Sequence, residues 1–350
     1  MNRRTHARLV LAALAVCCAT LAAPRALHAD DDTGAIPPEV ESAVDRGLEW
    51  LAKAQQRDGS WNGGGTASAA STGLAAMAFM ARGHVPGQGP YGENINRAID
   101  ALLAMQAPDG IIVESAQSQP MYDHGICTVA LCEAYGMLDD RRQPLVRTAI
   151  SKAVARILAA QRIAKNENDQ GGWRYTPTSV DSDTSVSGWQ LMALRGASNA
   201  GAAIPETAIA NGINYIQRRA TAGGGFAYGP SRGGGDSADS ALTGTGVLAL
   251  SLMGKSNTRE VIAGGDYLLR NISNDLRHSY YFYTVYYCSQ AAWQLGGNYW
   301  PILNKTISAD LRRKQGADGS WSGEINESYC TSMAILALTV PYRYLPIYQR

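Results

Sequence analysis

The sequence predicts an all-α chain of six helix hairpins closed into a ring, with six outer and six inner helices around a central cavity. Three observations predict it. Amphipathic helices alternate with helices that are apolar almost all round. The alternation recurs about every 50 residues, the signature of a repeat architecture. The apolar partner is present in every repeat, first and last included, and an open solenoid would need polar caps at both ends.

The 350-residue chain has 45% hydrophobic and only 17% charged residues, enough for a sizeable core. Its 37 glycines gather in short loops between the helical stretches, which punctuates a repeat and does not make a linker.

Taken in order, residues 40–56 form the first amphipathic helix. Val44, Leu48, Leu51 and Ala52 share one face, and Glu41, Asp45, Glu49 and Lys53 lie away from it. Residues 67–81 follow, nearly without charge, and belong inside. The same pairing joins 93–106 with 123–137, 144–161 with 184–196, and 205–218 with 239–253. It then joins 258–271 with the Tyr-rich 283–295, and 299–315 with 328–340. Pro144 and Pro205 sit where a first-turn proline is tolerated.

A turn motif follows the outer helices. Gln55-Gln56-Arg57-Asp58-Gly59-Ser60-Trp61 and Gln315-Gly316-Ala317-Asp318-Gly319-Ser320-Trp321 are near copies. Gln161 with Gly171-Gly172-Trp173 is the same turn with an insertion. Gln106 to Gly110 lacks the Trp, Gly224-Gly225-Phe226 replaces it by Phe, and the fifth repeat has lost the motif. The Gln amide is expected to cap carbonyls at the helix end. Gly supplies a positive φ, and the Trp packs back over the turn.

Residues 1–29 read as a secretory signal. Arg3, Arg4 and Arg8 precede a 15-residue apolar run at 9–23, and Ala29 is a plausible cleavage residue. That run is shorter than the roughly 20 residues of a membrane span. Residues 30–37 form a flexible entry segment and 38–350 the ring. The expected location is therefore periplasmic or extracellular, with no transmembrane anchor once the signal is removed. Residues 1–29 carry four arginines and no acid, so their removal takes the net charge from +1 to −3. A basic face for nucleic acid is not indicated. Four cysteines remain: Cys127, Cys132, Cys288 and Cys330. They read as buried free thiols; Cys127 and Cys132, on one helix, have poor geometry for a mutual bridge.

The run from Arg46 through Trp50 and Gln55 to Trp61, with the copies ending at Trp173 and Trp321, resembles the QW motif of the prenyltransferase/squalene oxidase repeat. That motif marks the squalene–hopene and oxidosqualene cyclases. The resemblance implies the α/α toroid (α6/α6 barrel) of those cyclases and of protein prenyltransferase β subunits, in a short, secreted, single-toroid form. It also implies an acid: Asp181-Ser182-Asp183-Thr184 is similar to the Asp-x-Asp-Asp motif of triterpene cyclases, with Asp183 as proton donor and Thr184 where a third acid would stand. The prenyltransferases hold Zn²⁺ with Asp, Cys and His. Here His124, Cys127, Asp183, Asp239, Cys288 and Cys330 lie near inner-helix starts, but no Asp-x-Cys pair matches. No cofactor is therefore expected, with zinc as the alternative.

The candidate site gathers at the inner-helix N-termini. Asp183, Asp239 and Glu327 occupy equivalent places in three repeats, where an acid caps exposed N–H groups. Asp181 beside Asp183 adds the like charge that raises a pKa. His124, after Tyr122 and Asp123, is placed either to orient or reprotonate Asp183 across the ring or to hydrogen-bond at its own helix start. Tyr283, Tyr286 and Tyr287, in the densest aromatic run, line the cavity or pack the core, and so does Trp189. Aromatic faces stabilise a carbocation or stack on sugar rings. A Gly-rich phosphate loop, a Ser-His-Asp pattern and a thioester Cys-Gly-Glu-Gln are all absent from the sequence. The expected function is binding, and acid-catalysed conversion, of an isoprenoid or other apolar ligand. The alternatives are a non-catalytic protein or glycan scaffold and a polysaccharide-active enzyme.

Overall fold

The computed structural model describes residues 36–62, 67–114, 119–229, 237–277, 280–323 and 325–349. The expected signal segment 1–29, and the entry segment up to residue 35, lie outside the described residues. Six helix pairs follow in order: α1 (Pro38–Ala54) with α2 (Ala69–Ala81), α3 (Gly92–Ala104) with α4 (Pro120–Tyr135), and α5 (Arg142–Gln161) with α6 (Thr184–Asn199). Then come α7 (Glu206–Gln217) with α8 (Ser240–Leu252), α9 (Arg259–Asp275) with α10 (Tyr281–Leu295), and α11 (Tyr299–Lys314) with α12 (Glu327–Leu338). Each inner helix packs on the next, and α12 packs back on α2. The chain is an α/α toroid.

Burial explains the two kinds of helix. α1 buries Val40, Ala43, Val44, Gly47, Leu48 and Leu51, one stripe at helical spacing. In α2 every residue but Ala70 is buried, and in α12 every residue but Glu327. An inner helix has no solvent side, so its sequence carries no polar face. Close approach within the inner layer is visible at Gly244, where a Cβ would stand 2.9 Å from the backbone of Tyr287 in α10.

The repeated turn is a clasp between neighbouring repeats. The indoles of Trp61, Trp173 and Trp321 donate to Leu51, Ile157 and Leu311 of the preceding outer helix. The Gln amide does not cap its own helix, as the sequence suggested. It bonds a turn carbonyl and reaches outward to the next outer helix: Gln55 to Asn94, Gln106 to Ala149, Gln161 to Ala208, and Gln315 to Ala43. The last of these closes the ring. The turn glycine serves the same approach; at Gly59, with φ +89°, a Cβ would fall 2.2 Å from the carbonyl oxygen of Arg97.

Short two-residue ribbons, β1 (Trp61–Asn62) with β2 (Ala67–Ser68) and β3 (Phe226–Ala227) with β4 (Ala238–Asp239), lead into α2 and α8. At the opposite end, residues 340–348 fold back over the ring. The amide of Ile347 donates to Glu133 Oε2 (3.1 Å), Gln294 Nε2 donates to the carbonyl of Tyr348 (3.0 Å), and the hydroxyls of Tyr286 and Tyr348 hydrogen-bond. Between this plug and the mouth, Trp189 of α6 stacks on Tyr286 of α10 at 5.8 Å, with Tyr287 edge-on to both. Cys127, Cys132, Cys288 and Cys330 are buried and form no disulfide with one another. Among the described residues no helix is long and apolar enough to cross a membrane.

Candidate functional site

The loop 171–183 between α5 and α6 builds the mouth. Asp183 N–H donates to the Trp173 carbonyl (2.9 Å), which pins the loop across its base. The Asp183 side chain then caps α6: its Oδ1 accepts from Val186 N–H at 2.8 Å. Its Oδ2 is buried and accepts no hydrogen bond. The nearest cation is Arg174, whose Nε lies 3.6 Å from that oxygen and whose Nη1 lies 3.6 Å from Asp181 Oδ2. One guanidinium thus bridges both acids. It is held between two phenol rings, 4.4 Å from the centre of Tyr175 and 5.3 Å from that of Tyr228. The hydroxyls of Tyr175 and Tyr228 are hydrogen-bonded to each other. Thr184 ties the start of α6 to the next repeat, donating to the carbonyls of Tyr228 (2.8 Å) and Ala227 (2.6 Å).

Tyr122 joins this group, its ring 6.0 Å from that of Tyr175. The Ser185 hydroxyl links Tyr122 with Tyr283, and Tyr283 also meets Thr245 Oγ1 at 3.2 Å. The electrostatics follow from burial. Loss of water pushes the Asp183 carboxyl up to about 7, against the lowering effects of Val186 N–H and Arg174. The sequence suggested mutual repulsion as the cause; the Asp181 charge contributes less than burial, the Val186 N–H or Arg174, which stands between the acids. The phenols of Tyr122 and Tyr228 are raised, first by burial and then by the Asp183 charge.

Several expected residues belong elsewhere. His124 does not serve Asp183. Its Nδ1 accepts from Ile112 N–H (3.0 Å) and its Nε2 meets the Ala153 carbonyl (3.2 Å), both facing the outer layer. Trp61, Trp173, Phe226 and Trp321 make the matching backbone bond to Thr72, Ser187, Thr243 and Thr331. His124 is therefore the second repeat's version of a clasp hydroxyl. Burial lowers it to about 4, so it is neutral.

Asp239 caps α8 through Leu242 N–H (2.7 Å) and is exposed. Glu327 is not its equivalent. The cap of α12 is Asn326, accepting from Tyr329 N–H at 2.8 Å, while Glu327 lies one residue on and takes Ser322 Oγ at 3.2 Å. Trp189, Tyr286 and Tyr287 do not line an open cavity; they fill the core against one another. The zinc donors do not converge. Both His124 nitrogens are engaged, the Cys127 and Cys288 thiols donate to the carbonyls of Ala69 and Ser240 (both 3.2 Å), and no cluster of three donors occurs among the described residues.

Arg174, Tyr175, Ser185 and Tyr228 are the site residues that sequence reasoning missed. A signal for Arg174 existed. The residue after the clasp aromatic, or after Ile112 in the second repeat, is Asn62, Val113, Ala227 or Ser322 in the other repeats that keep the turn, and arginine only in the third.

No protein-family model matches the chain, and no curated protein matches it by sequence. Solved structures share its fold. An α-1,6-mannanase from Salegentibacter sp., an inactive variant in complex with α-1,6-mannotriose, has a TM-score of 0.65 at 8% identity, covering 86% of this chain and 98% of its own. A type II terpene cyclase from Scytonema, in complex with geranylgeranyl dihydroxybenzoate, has a TM-score of 0.54 at 11% identity, covering 88% and 98%. A protein from Actinoplanes has a TM-score of 0.56 at 15% identity, covering 88% and 99%. At such identities the likeness establishes the toroid fold alone.

Proposed function

We propose that the protein binds a small ligand at the mouth of the ring and acts on it by general acid catalysis, with Asp183 as the acid. The observation that supports this is Asp183 Oδ2, buried, without a hydrogen bond, in a carboxyl held near neutrality. An unsatisfied buried group costs on the order of 1–3 kcal/mol. Such a group, joined to a perturbed pKa, marks a candidate functional site.

The ligand class follows from acid strength and lining. A carboxyl near 7 is well matched to donating a proton to an ether or glycosidic oxygen at neutral pH. It is a weaker acid than an ordinary carboxyl, which disfavours protonating a carbon–carbon double bond. The mouth is phenolic and ionic, with Tyr122, Tyr175, Tyr228, Tyr283, Arg174 and Asp181. We therefore place a glycan first, the ligand type carried by the mannanase that shares the fold. The isoprenoid reading stands second, on the tyrosine faces grouped near Asp183 and the cyclase that shares the fold. The Asp183 side chain has no exposed surface, so a ligand reaches it only after a neighbouring side chain moves; Arg174, partly exposed and 3.6 Å away, is the one proposed to move. Export of the ring, residues 38–350, through a signal at 1–29 is part of the proposal; N-terminal sequencing of the secreted protein checks it.

Purified mature protein and its Asp183→Asn variant should be incubated with an oligosaccharide panel and a polyprenyl panel, and products read by mass spectrometry. Cleaved oligosaccharide lost in the variant supports the first reading. A converted polyprenyl supports the second. No product and no binding in either panel overturns both and leaves a scaffold.

A further inference from the structure

The fifth repeat, where the clasp motif is missing, borders a cavity. It has a volume of about 240 Å³ and lies between the N-terminal ends of α10 and α12 and the C-terminal end of α11. Its apolar wall is Leu276, Phe282 and Tyr329, all buried. In the sixth repeat the indole of Trp321 packs over its turn and donates to the outer helix; no aromatic of that kind follows α9.

Two features at this cavity point to a ligand. Tyr281 is 8% exposed, lines the cavity, and its buried hydroxyl has no hydrogen-bond partner. Lys314 Nζ sits 3.9 Å from the centre of the Tyr281 ring and lines the same space, as does Arg277. The Lys314 charge is not fully spent within the protein. Its acid, Asp310, is 3.9 Å away through Oδ2, beyond hydrogen-bond distance, while Arg313 engages Oδ1. Glu327 accepts from Ser322, which lines the cavity. Leu276, Phe282 and Tyr329 are hydrocarbon and ring faces, while Tyr281 and Lys314 are donors placed together at one side.

We propose that this cavity is a binding site for a small amphipathic carboxylate. Its short acyl or single-ring tail packs on Leu276, Phe282 and Tyr329. Its carboxylate accepts from the Tyr281 hydroxyl and the Lys314 ammonium. The volume is below the roughly 300–1,000 Å³ of drug-sized sites, so the tail is short. The cavity shares Tyr283 with the group around Asp183, but its proposed donors, Tyr281 and Lys314, are not part of that group, so the proposal stands whether or not the mouth is catalytic.

Octanoate is the probe, with octanol and octylamine as controls, titrated into the mature protein by calorimetry and ligand-observed NMR. Octanoate should bind in the submillimolar range and more tightly than either control. Lys314→Met should weaken octanoate about fivefold to tenfold, down to the affinity of octanol, and Lys314→Arg should largely retain it. Tyr281→Phe should weaken octanoate several-fold without lowering the melting temperature, because the hydroxyl it removes makes no bond in the protein. The proposal is overturned if octanoate does not bind at millimolar concentration. It is equally overturned if octylamine binds as well as octanoate, or if Lys314→Met and Tyr281→Phe leave octanoate affinity unchanged while remaining folded.

Discussion

The side-chain amide of Gln315, just past the end of α11, donates to the carbonyl of Ala43 in α1 at 2.8 Å. The same nitrogen bonds the Gly319 carbonyl, also at 2.8 Å. The last repeat is thereby joined to the first with the geometry that Gln55 uses inside the chain. Gln315→Ala should therefore lower stability by about 1–3 kcal/mol, as much as Gln55→Ala, because two buried-side carbonyls lose their donor. Thermal and urea denaturation of the two variants measure this. A silent Gln315→Ala beside a costly Gln55→Ala would mean that the ring is open at this seam.

The clasp glycine makes a sharper claim. Gly319 has φ +94°, and a Cβ there would stand 2.7 Å from the carbonyl oxygen of Arg46. Gly89 has φ +67° and nothing within 4 Å of its Cβ position. Gly89→Ala should cost only the left-handed conformation, roughly 1–2 kcal/mol. Gly319→Ala adds a clash with the backbone of α1 and should cost at least twice as much. Equal denaturation midpoints for the two variants would refute the inter-repeat role.

How much of this was legible in the sequence depends on whether the cause was local. The helix pairs were readable because burial on one face or on all faces writes itself into polarity at a fixed period. The presence of the clasp was readable from Gln, Gly and Trp, but its target was not. The carbonyl that Gln55 meets belongs to Asn94, and nothing in either residue announces the other. Asn326 hid for a different reason: an acid at Glu327 looked like the cap, and a one-residue offset decides which side chain reaches the N–H of Tyr329. Asp183 was legible as a residue. The origin of its raised pKa was not, since burial and the intervening Arg174 are properties of the assembled loop.

His124 tests whether a titratable residue at a mouth is chemical or structural. Its Nδ1 accepts from Ile112 N–H where Thr72 and Thr331 serve the other turns. His124→Ala should leave that N–H unsatisfied and cost about 1–3 kcal/mol, while His124→Thr should recover part of the loss. The folded pKa of about 4 lies below the usual 6.5. The neutral form is thus required by the fold, and wild type should lose stability relative to His124→Thr as pH drops from 6.5 toward 4, by about 3 kcal/mol at most, the buried carboxyls sloping alike in both proteins. His124→Thr should lack that slope. Its pH–rate profile on any substrate of the mouth should match wild type; a lost limb would make His124 part of the chemistry.

Asp183 gives the opposite slope. Its folded pKa of about 7 lies above the usual 3.8, so the native state holds a proton that the unfolded chain releases between those values. That contribution to stability is complete below pH 4 and is lost as pH rises through about 7. Asp183→Asn keeps an N-cap for α6 and carries no charge to desolvate. It should therefore gain on wild type as pH rises, by about 4 kcal/mol at most at pH 8, and show no gain at pH 4. Glu133, raised by burial to about 8, and Asp123, raised to about 7, contribute slopes common to both proteins and cancel in the comparison. Activity should run against this gain. If Asp183 donates the proton, kcat/KM falls above about pH 7, and the Asn variant loses on the order of 10²–10⁴-fold. Arg174→Met removes the charge that favours the carboxylate, so the alkaline limb should move to higher pH. A limb that stays in place would show that Asp183 is a cap and nothing more, because only a group that both titrates and reacts responds to its neighbour in the rate.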